Sequence, residues 1–342
     1  MIEIGLKGER FSSIQTALDY LEEHPEEERH LLVRPGVYEE RVEIKIPGVV
    51  ITGESREAAD KTVITLGLGG KEILEDGKKR GTFRTYTCFV DAKEVTLAYL
   101  TIENSAGPGS RAGQAIALYA DGDRLVVDSC RLLGWQDTLF TAPLPPKEIE
   151  KDGFVGPKQF APREPRRQYY KDCYIEGEVD FIFGGATAYF EGCTFFSKDV
   201  NREINGYVTA PSTPEGQRFG YVMERCRFTG NCPDRTVFLG RPWREWGKTV
   251  MLRCHIGPHI RVEGWDDWGK EKARETTDFG EFRCTGPGAD RFGRPGWVRE
   301  LTEAEAEDYT KEQVLGEDLG EERQWWQSRL LITDCQTRQS LS

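Results

Sequence analysis

The stretches Asp128-Ser129-Cys130-Arg131-Leu132, Lys171-Asp172-Cys173-Tyr174-Ile175, Glu191-Gly192-Cys193-Thr194-Phe195 and Glu224-Arg225-Cys226-Arg227-Phe228 are four copies of one pattern, and Cys254 with Ile256 makes a fifth. In each copy the cysteine precedes an apolar residue by two positions, so in extended chain the two side chains fall on one face. The cysteines are 43, 20, 33 and 28 residues apart, which reads as a coil of about 20 residues carrying insertions. A coil of that length with three short strands is the unit of a parallel β-helix, whose coils stack ~4.8 Å apart and bury equivalent side chains in ladders. A small, apolar cysteine suits such a ladder better than a metal site.

The rest of the chain agrees. Phe11, Ile14, Ala17, Leu18 and Leu21 make one face of a short N-terminal helix with Ser12 or Ser13 as cap. Beyond it come short runs broken by glycine: Leu31 to Val33, Val42 to Ile46 and Val49 to Thr52. Leu301 to Leu319, rich in Glu and Ala, predicts a terminal helix or extended tail lying on the body. The reading is one all-β domain over residues 1–342, with a core over about 10–300, an insertion at 141–165 and a tail at 301–342.

Composition sets limits on function. The net charge is −12 over 342 residues, which speaks against an isolated nucleic-acid binder. The N-terminus lacks a basic and an apolar leader region, and no run reaches the roughly 18 apolar residues of a spanning helix. Nine cysteines, an odd number in a chain that needs no disulfide scaffold, fit reduced thiols. The expectation is a cytoplasmic protein, or an extracellular one if a leader has been removed, without membrane or nucleic-acid partners and acting as a monomer. No C-x-x-C occurs, and His255 and His259 lack further ligands at a recognisable spacing, so no metal or cofactor is expected.

Counting from the cysteines turns the repeat into a chemical argument. Asp137 lies seven residues after Cys130 and Asp180 seven after Cys173. On adjacent coils the two carboxylates share a face. The 43-residue interval reduces to one coil if Thr141 to Pro165, which holds six of the 17 prolines, is an excursion. Both aspartates sit among apolar and aromatic residues, in Trp135-Gln136-Asp137-Thr138-Leu139-Phe140 and Val179-Asp180-Phe181-Ile182-Phe183-Gly184. Two carboxylates in a desolvated groove do not both ionise readily, so one is expected to titrate high while the other, given a cationic partner, stays low. That asymmetry suits an acid beside a nucleophile or base.

Gln136-Asp137-Thr138-Leu139, Asp180-Phe181-Ile182-Phe183-Gly184, Gly113-Gln114-Ala115-Ile116-Ala117-Leu118 and Leu239-Gly240-Arg241-Pro242-Trp243 resemble the signature blocks of the pectin methylesterase (pectinesterase) family. Pro35-Gly36-Val37-Tyr38-Glu39-Glu40, Gly206-Tyr207-Val208-Thr209-Ala210 and Gly264-Trp265-Asp266-Asp267-Trp268 are similar to flanking blocks in the same order. The resemblance implies a single-stranded right-handed parallel β-helix and hydrolysis of the C6 methyl ester of galacturonate in pectin or short methylated oligogalacturonides. It implies Asp180 as nucleophile, Asp137 as acid and then base, Gln114 and Gln136 as oxyanion donors, and Arg241 as the partner of Asp180. Trp243, Phe183, Phe140 and Trp268 resemble sugar-stacking aromatics, while Trp246, Trp265 and Trp268 could equally only cover coil ends.

The excursion departs from the family pattern. It carries Lys147, Lys151, Lys158 and Arg163, with Arg166 and Arg167 just beyond. The expectation is that it walls off one end of the cleft, touches uronate carboxylates and favours short oligosaccharides. Alternative readings are a β-helix glycosidase or lyase, and a thioesterase or non-catalytic carbohydrate-binding relative.

Overall fold

The corner before each strand of the repeat is set by one residue in the left-handed region. The structure, a computed structural model, describes residues 1–316 and 324–326. The residue before each repeat cysteine has positive φ: Ser129 at 53°, Asp172 at 50°, Gly192 at 64°, Arg225 at 52° and Arg253 at 53°. One such residue turns an extended chain sharply. It ends Leu125–Asp128 and lets Arg131–Leu133 begin in another direction. The cysteine therefore sits in the corner, one step before the strand on which the alternation put it, yet still faces inward. From Cys173 onward each of these thiols donates to a carbonyl of the preceding coil: Cys173 to Val127 at 3.3 Å, Cys193 to Tyr170 at 3.5 Å, Cys226 to Phe190 at 3.4 Å and Cys254 to Met223 at 3.2 Å. Cys284 continues the ladder onto Met251 at 3.6 Å. It escapes the sequence pattern because Gly286, not an apolar residue, stands two positions on.

Repeating the corner gives a right-handed parallel β-helix of three sheets, with 11, 8 and 7 strands. Coils stack in register: Asp128 pairs with Lys171, Arg131 with Tyr174, and Leu139 with Ile182. The coils of Cys130 and Cys173 are thus neighbours despite the 43-residue interval. Thr141 still belongs to the strand Leu139–Thr141, and the chain rejoins the first sheet at Arg167–Lys171, so the excursion covers 142–166.

The N-terminal helix spans Ile14–Glu23, with Ser13 Oγ accepting from the Thr16 N–H and Ile14, Ala17, Leu18 and Leu21 buried. At the other end, short helices at Glu303–Glu307 and Lys311–Leu315 place Ala306, Val314 and Leu315 with Trp325 and Trp326 over Val126, Tyr169, Tyr189 and Val222 of the first sheet. The expected tail over 301–342 lies on the body as far as it is described; 317–323 and 327–342 fall outside the described residues. Among the described residues no helix is long and apolar enough to cross a membrane.

Candidate active site

Asp137 and Asp180 occupy the same corner of adjacent coils, and both have positive φ, 67° and 50°. This backbone, tolerated by Asp better than by most residues, turns each carboxyl out of the ladder. The Asp137 N–H donates to Val179 O at 3.1 Å, tying the two corners together. The strand Val179–Gly184 carries a bulge against Gly206–Pro211, the register slipping between Val179 and Ile182, so that Asp180 lies in the irregular step. A bulge of this kind re-aims a side chain.

Arg241, just after the strand Val237–Gly240, holds Asp180 with both arms of its fork: Nε to Oδ1 at 2.9 Å and Nη2 to Oδ2 at 2.7 Å. The guanidinium lies between the rings of Tyr207 (3.8 Å) and Trp268 (3.7 Å), which fixes its plane. Lys270, over the Trp268 ring, donates to the carbonyls of Pro242 and Trp243, and burial beside Arg244 and Arg241 pushes it down to about 8.

The two aspartates are each 7% exposed. Burial pushes Asp137 well above the usual carboxylate range, the charge of Asp180 adds to this, and Arg241 opposes it. Burial also raises Asp180, with Arg241 opposing through charge and hydrogen bonds. The expected asymmetry is therefore one of degree: Asp180 is not held low, because desolvation outweighs its cation, but Asp137 is pushed further. Among the described residues no side chain donates to the Asp137 carboxyl.

These groups open into a cleft of about 320 Å³ lined by Gln114, Gln136, Asp137, Asp180, Arg241, Phe183, Trp243 and Trp268, together with Thr82, Phe83, Ile149, Phe154, Ala210 and Arg244. Gln114 enters where Gly113, at φ 75°, ends the short helix Gly109–Ala112. The side-chain amides of Gln114 and Gln136 have no hydrogen-bond partner among the described residues, so their N–H groups can meet a ligand.

Eight of the nine expected site residues line the cleft; Phe140 does not. It is 0% exposed and packs against Tyr119, Phe83 and Phe183 at centroid distances of 4.7 to 5.0 Å. It is core behind the cleft, held side by side with Phe183 on the neighbouring strand and covered by Tyr119 and Phe83. Trp265 is also core, stacked on Phe279 and donating to Glu281. The excursion does wall the cleft through Ile149, Glu150, Gly153 and Phe154. Its basic residues mostly do not face it: Lys158 pairs with Asp91 and Asp121, Arg166 with Asp121 and Glu164, Arg167 with Asp123, and Arg163 binds backbone carbonyls of its own loop. They anchor the loop. Phe83, Phe154 and Arg244 were not anticipated, since nothing in the local sequence marks a residue that reaches the site from another loop. Tyr207 stood in a recognised block, but without a role.

The pectinesterase family profile matches residues 5–144 and 163–318, skipping the core of the excursion. The chain belongs to the pectinesterase family. It is 33% identical over 322 residues to Pectinesterase 31 of Arabidopsis thaliana, covering 92% of this chain and 91% of that one. Among solved structures it is similar to the pectin methylesterase PemA from Erwinia chrysanthemi (28% identity, TM-score 0.72, 92% and 97% of the two chains). A pectin methylesterase in complex with a hexasaccharide gives 28% identity and a TM-score of 0.73, covering 92% and 97%. The carrot pectin methylesterase gives 25% and 0.75, covering 92% of each chain. As a pectinesterase the protein is a carboxylic ester hydrolase, and the buried aspartate pair is its only carboxylate pair facing this cleft among the described residues.

Proposed function

We propose that this pectinesterase hydrolyses the C6 methyl ester of galacturonate in pectin or methylated oligogalacturonides by a covalent route. The observation that carries the reading is the divided carboxylate pair: Asp180 gripped bidentately by Arg241, Asp137 buried with no side-chain donor among the described residues. Asp180, kept ionised in the fork, attacks the ester carbonyl carbon, and the oxyanion meets the N–H groups of Gln114 and Gln136. Collapse expels the methoxy group, which takes the Asp137 proton and leaves as methanol. The galacturonyl group is left as an anhydride on Asp180. Asp137, now ionised, takes a proton from water as its oxygen attacks that anhydride, and collapse releases the galacturonate carboxyl and restores both aspartates.

Ester chemistry fits better than glycosidic cleavage because one carboxylate is fully engaged by a cation and free amide donors face the cleft, an arrangement suited to an oxyanion. A methanol-release assay on methylated oligogalacturonides with wild type and Asp180→Ala tests the reading. Loss of methanol in a variant with unchanged circular dichroism is expected; full activity would refute it. We further propose that the protein acts as a monomer in the cytoplasm on already shortened fragments. Eight free cysteines among the described residues support a reducing compartment, and cell fractionation with light scattering on the purified chain checks both points.

A further inference from the structure

Glu178 is a third buried carboxyl, beside the catalytic pair, and the route above does not use it. It is 2% exposed, two residues ahead of Asp180, and its backbone is pinned by Trp135 O, which accepts from its N–H, and by the Tyr207 N–H, which donates to its carbonyl. Its side chain reaches across to another coil, where Oε1 accepts from the Gly109 N–H at 2.5 Å. Gly109 opens the helix Gly109–Ala112, directly upstream of Gln114. The same glycine touches the other amide: a Cβ there would lie 2.4 Å from Gln136 Oε1 and 2.6 Å from Glu178 Oε1. Two oxygens thus converge on the bare Gly109 methylene. With its oxygen turned to Gly109, the Gln136 amide has its N–H groups left for the cleft it lines.

We propose that Glu178 is a positioning residue that fixes the Gly109–Gln114 segment and, across Gly109, the Gln136 amide, so that both oxyanion donors are held ready for the ester. The inference rests on the esterase reading above. Glu178 does this as a neutral carboxyl. Among the described residues its buried Oε2 has no partner, a state that an ionised oxygen tolerates poorly, and a charge here would add to the repulsion around Asp137. Burial correspondingly pushes the Glu178 carboxyl up, against the Gly109 N–H and the charges of Arg202, Lys198 and Lys71.

The test compares Glu178→Gln and Glu178→Ala in the full chain. Gln keeps a neutral acceptor for Gly109, so its kcat should stay within about threefold of wild type. Ala removes the anchor and should lower kcat about 10- to 100-fold with KM within about threefold, because oxyanion donors act on the transition state. Hydrogen exchange of residues 105–116, which needs no substrate, should quicken in Ala and not in Gln. Wild-type kcat or unchanged exchange in Ala, a loss confined to KM, or a Gln variant as impaired as Ala would each overturn the assignment. Where Ala does not fold, Gln alone decides: retained kcat sustains the proposal and a tenfold loss ends it. Failure of the wild type to release methanol would instead overturn the esterase reading, and the exchange result would then decide Glu178.

Discussion

Replacing Asp137 with Asn should cripple the enzyme and stabilise the fold, by an amount that grows with pH. Asp137 is buried, faces Asp180, and has no hydrogen-bond donor among the described side chains, so its carboxyl titrates well above an ordinary one. In the unfolded chain it titrates near 3.9. The native state therefore binds this proton more tightly than the unfolded state. The stability it confers is fully present below the unfolded value and is lost as pH rises towards the native one. Asn has no such proton to lose and keeps the shape. The stability of Asp137→Asn relative to wild type should thus rise from about pH 4 by about 1.4 kcal/mol per pH unit, then level off above the native midpoint. Relief of Asp180 from its neighbour's charge acts in the same direction. Urea unfolding of both proteins from pH 4 to pH 8 measures this difference directly, since titrations away from the coupled carboxyls cancel, and equal m-values confirm that like states are compared. The same variant should lose about 10²–10⁴ in kcat for want of the acid. Parallel stability curves, with no growth in the difference, would refute the claim that Asp137 is held neutral by burial.

Gln136→Leu and Gln114→Leu should each lower kcat about 10²- to 10³-fold with little change in KM, measured by methanol release. Arg241→Lys keeps the charge but loses the fork and the stack between Tyr207 and Trp268; Asp180 then ionises less readily, and the acid limb of the kcat–pH profile should move to higher pH, an unmoved limb telling against the pairing. Replacing 145–162 by a short Gly-Ser link should raise the rate on high-methoxyl pectin relative to methylated trimers, since Ile149 and Phe154 then no longer wall the cleft; an unchanged ratio would dismiss that role. Away from the site, Arg294 and Glu281 form an ion pair at 2.7 Å with both side chains 2% exposed, so Arg294→Met should cost up to about 3–5 kcal/mol in urea unfolding, leaving the buried Glu281 charge only Arg291 at 3.5 Å and the Trp265 N–H.

Much of this molecule could be read from short-range pattern. The Cys-x-apolar repeat is a property of the coil itself, so it revealed the ladder, the coil length and the matched offsets of Asp137 and Asp180 before any contact was known. Signature blocks such as Leu239 to Trp243 carried Arg241 to its partner. Phe140 shows where such reading stops, because a strand side chain can line a cleft or lie behind it depending on which rings cover it. The basic residues of the excursion show the same limit: counted along the chain they look like a carboxylate-binding cluster, but Asp91, Asp121 and Asp123, remote in sequence, take Lys158, Arg166 and Arg167.

The inward cysteine and the matched offset of the two aspartates follow from residue type and spacing along the chain, so the coil was legible in the sequence; the left-handed corners were not, because Ser129, Arg225 and Arg253 hold that backbone as well as Asp172 and Gly192. The state of the site came instead from packing between coils. Desolvation and the orientation of Arg241 arise where coils and loops distant in sequence meet, and they make Asp137 the higher-titrating acid, bring Glu178 to Gly109, and close the cleft with Phe83 and Phe154.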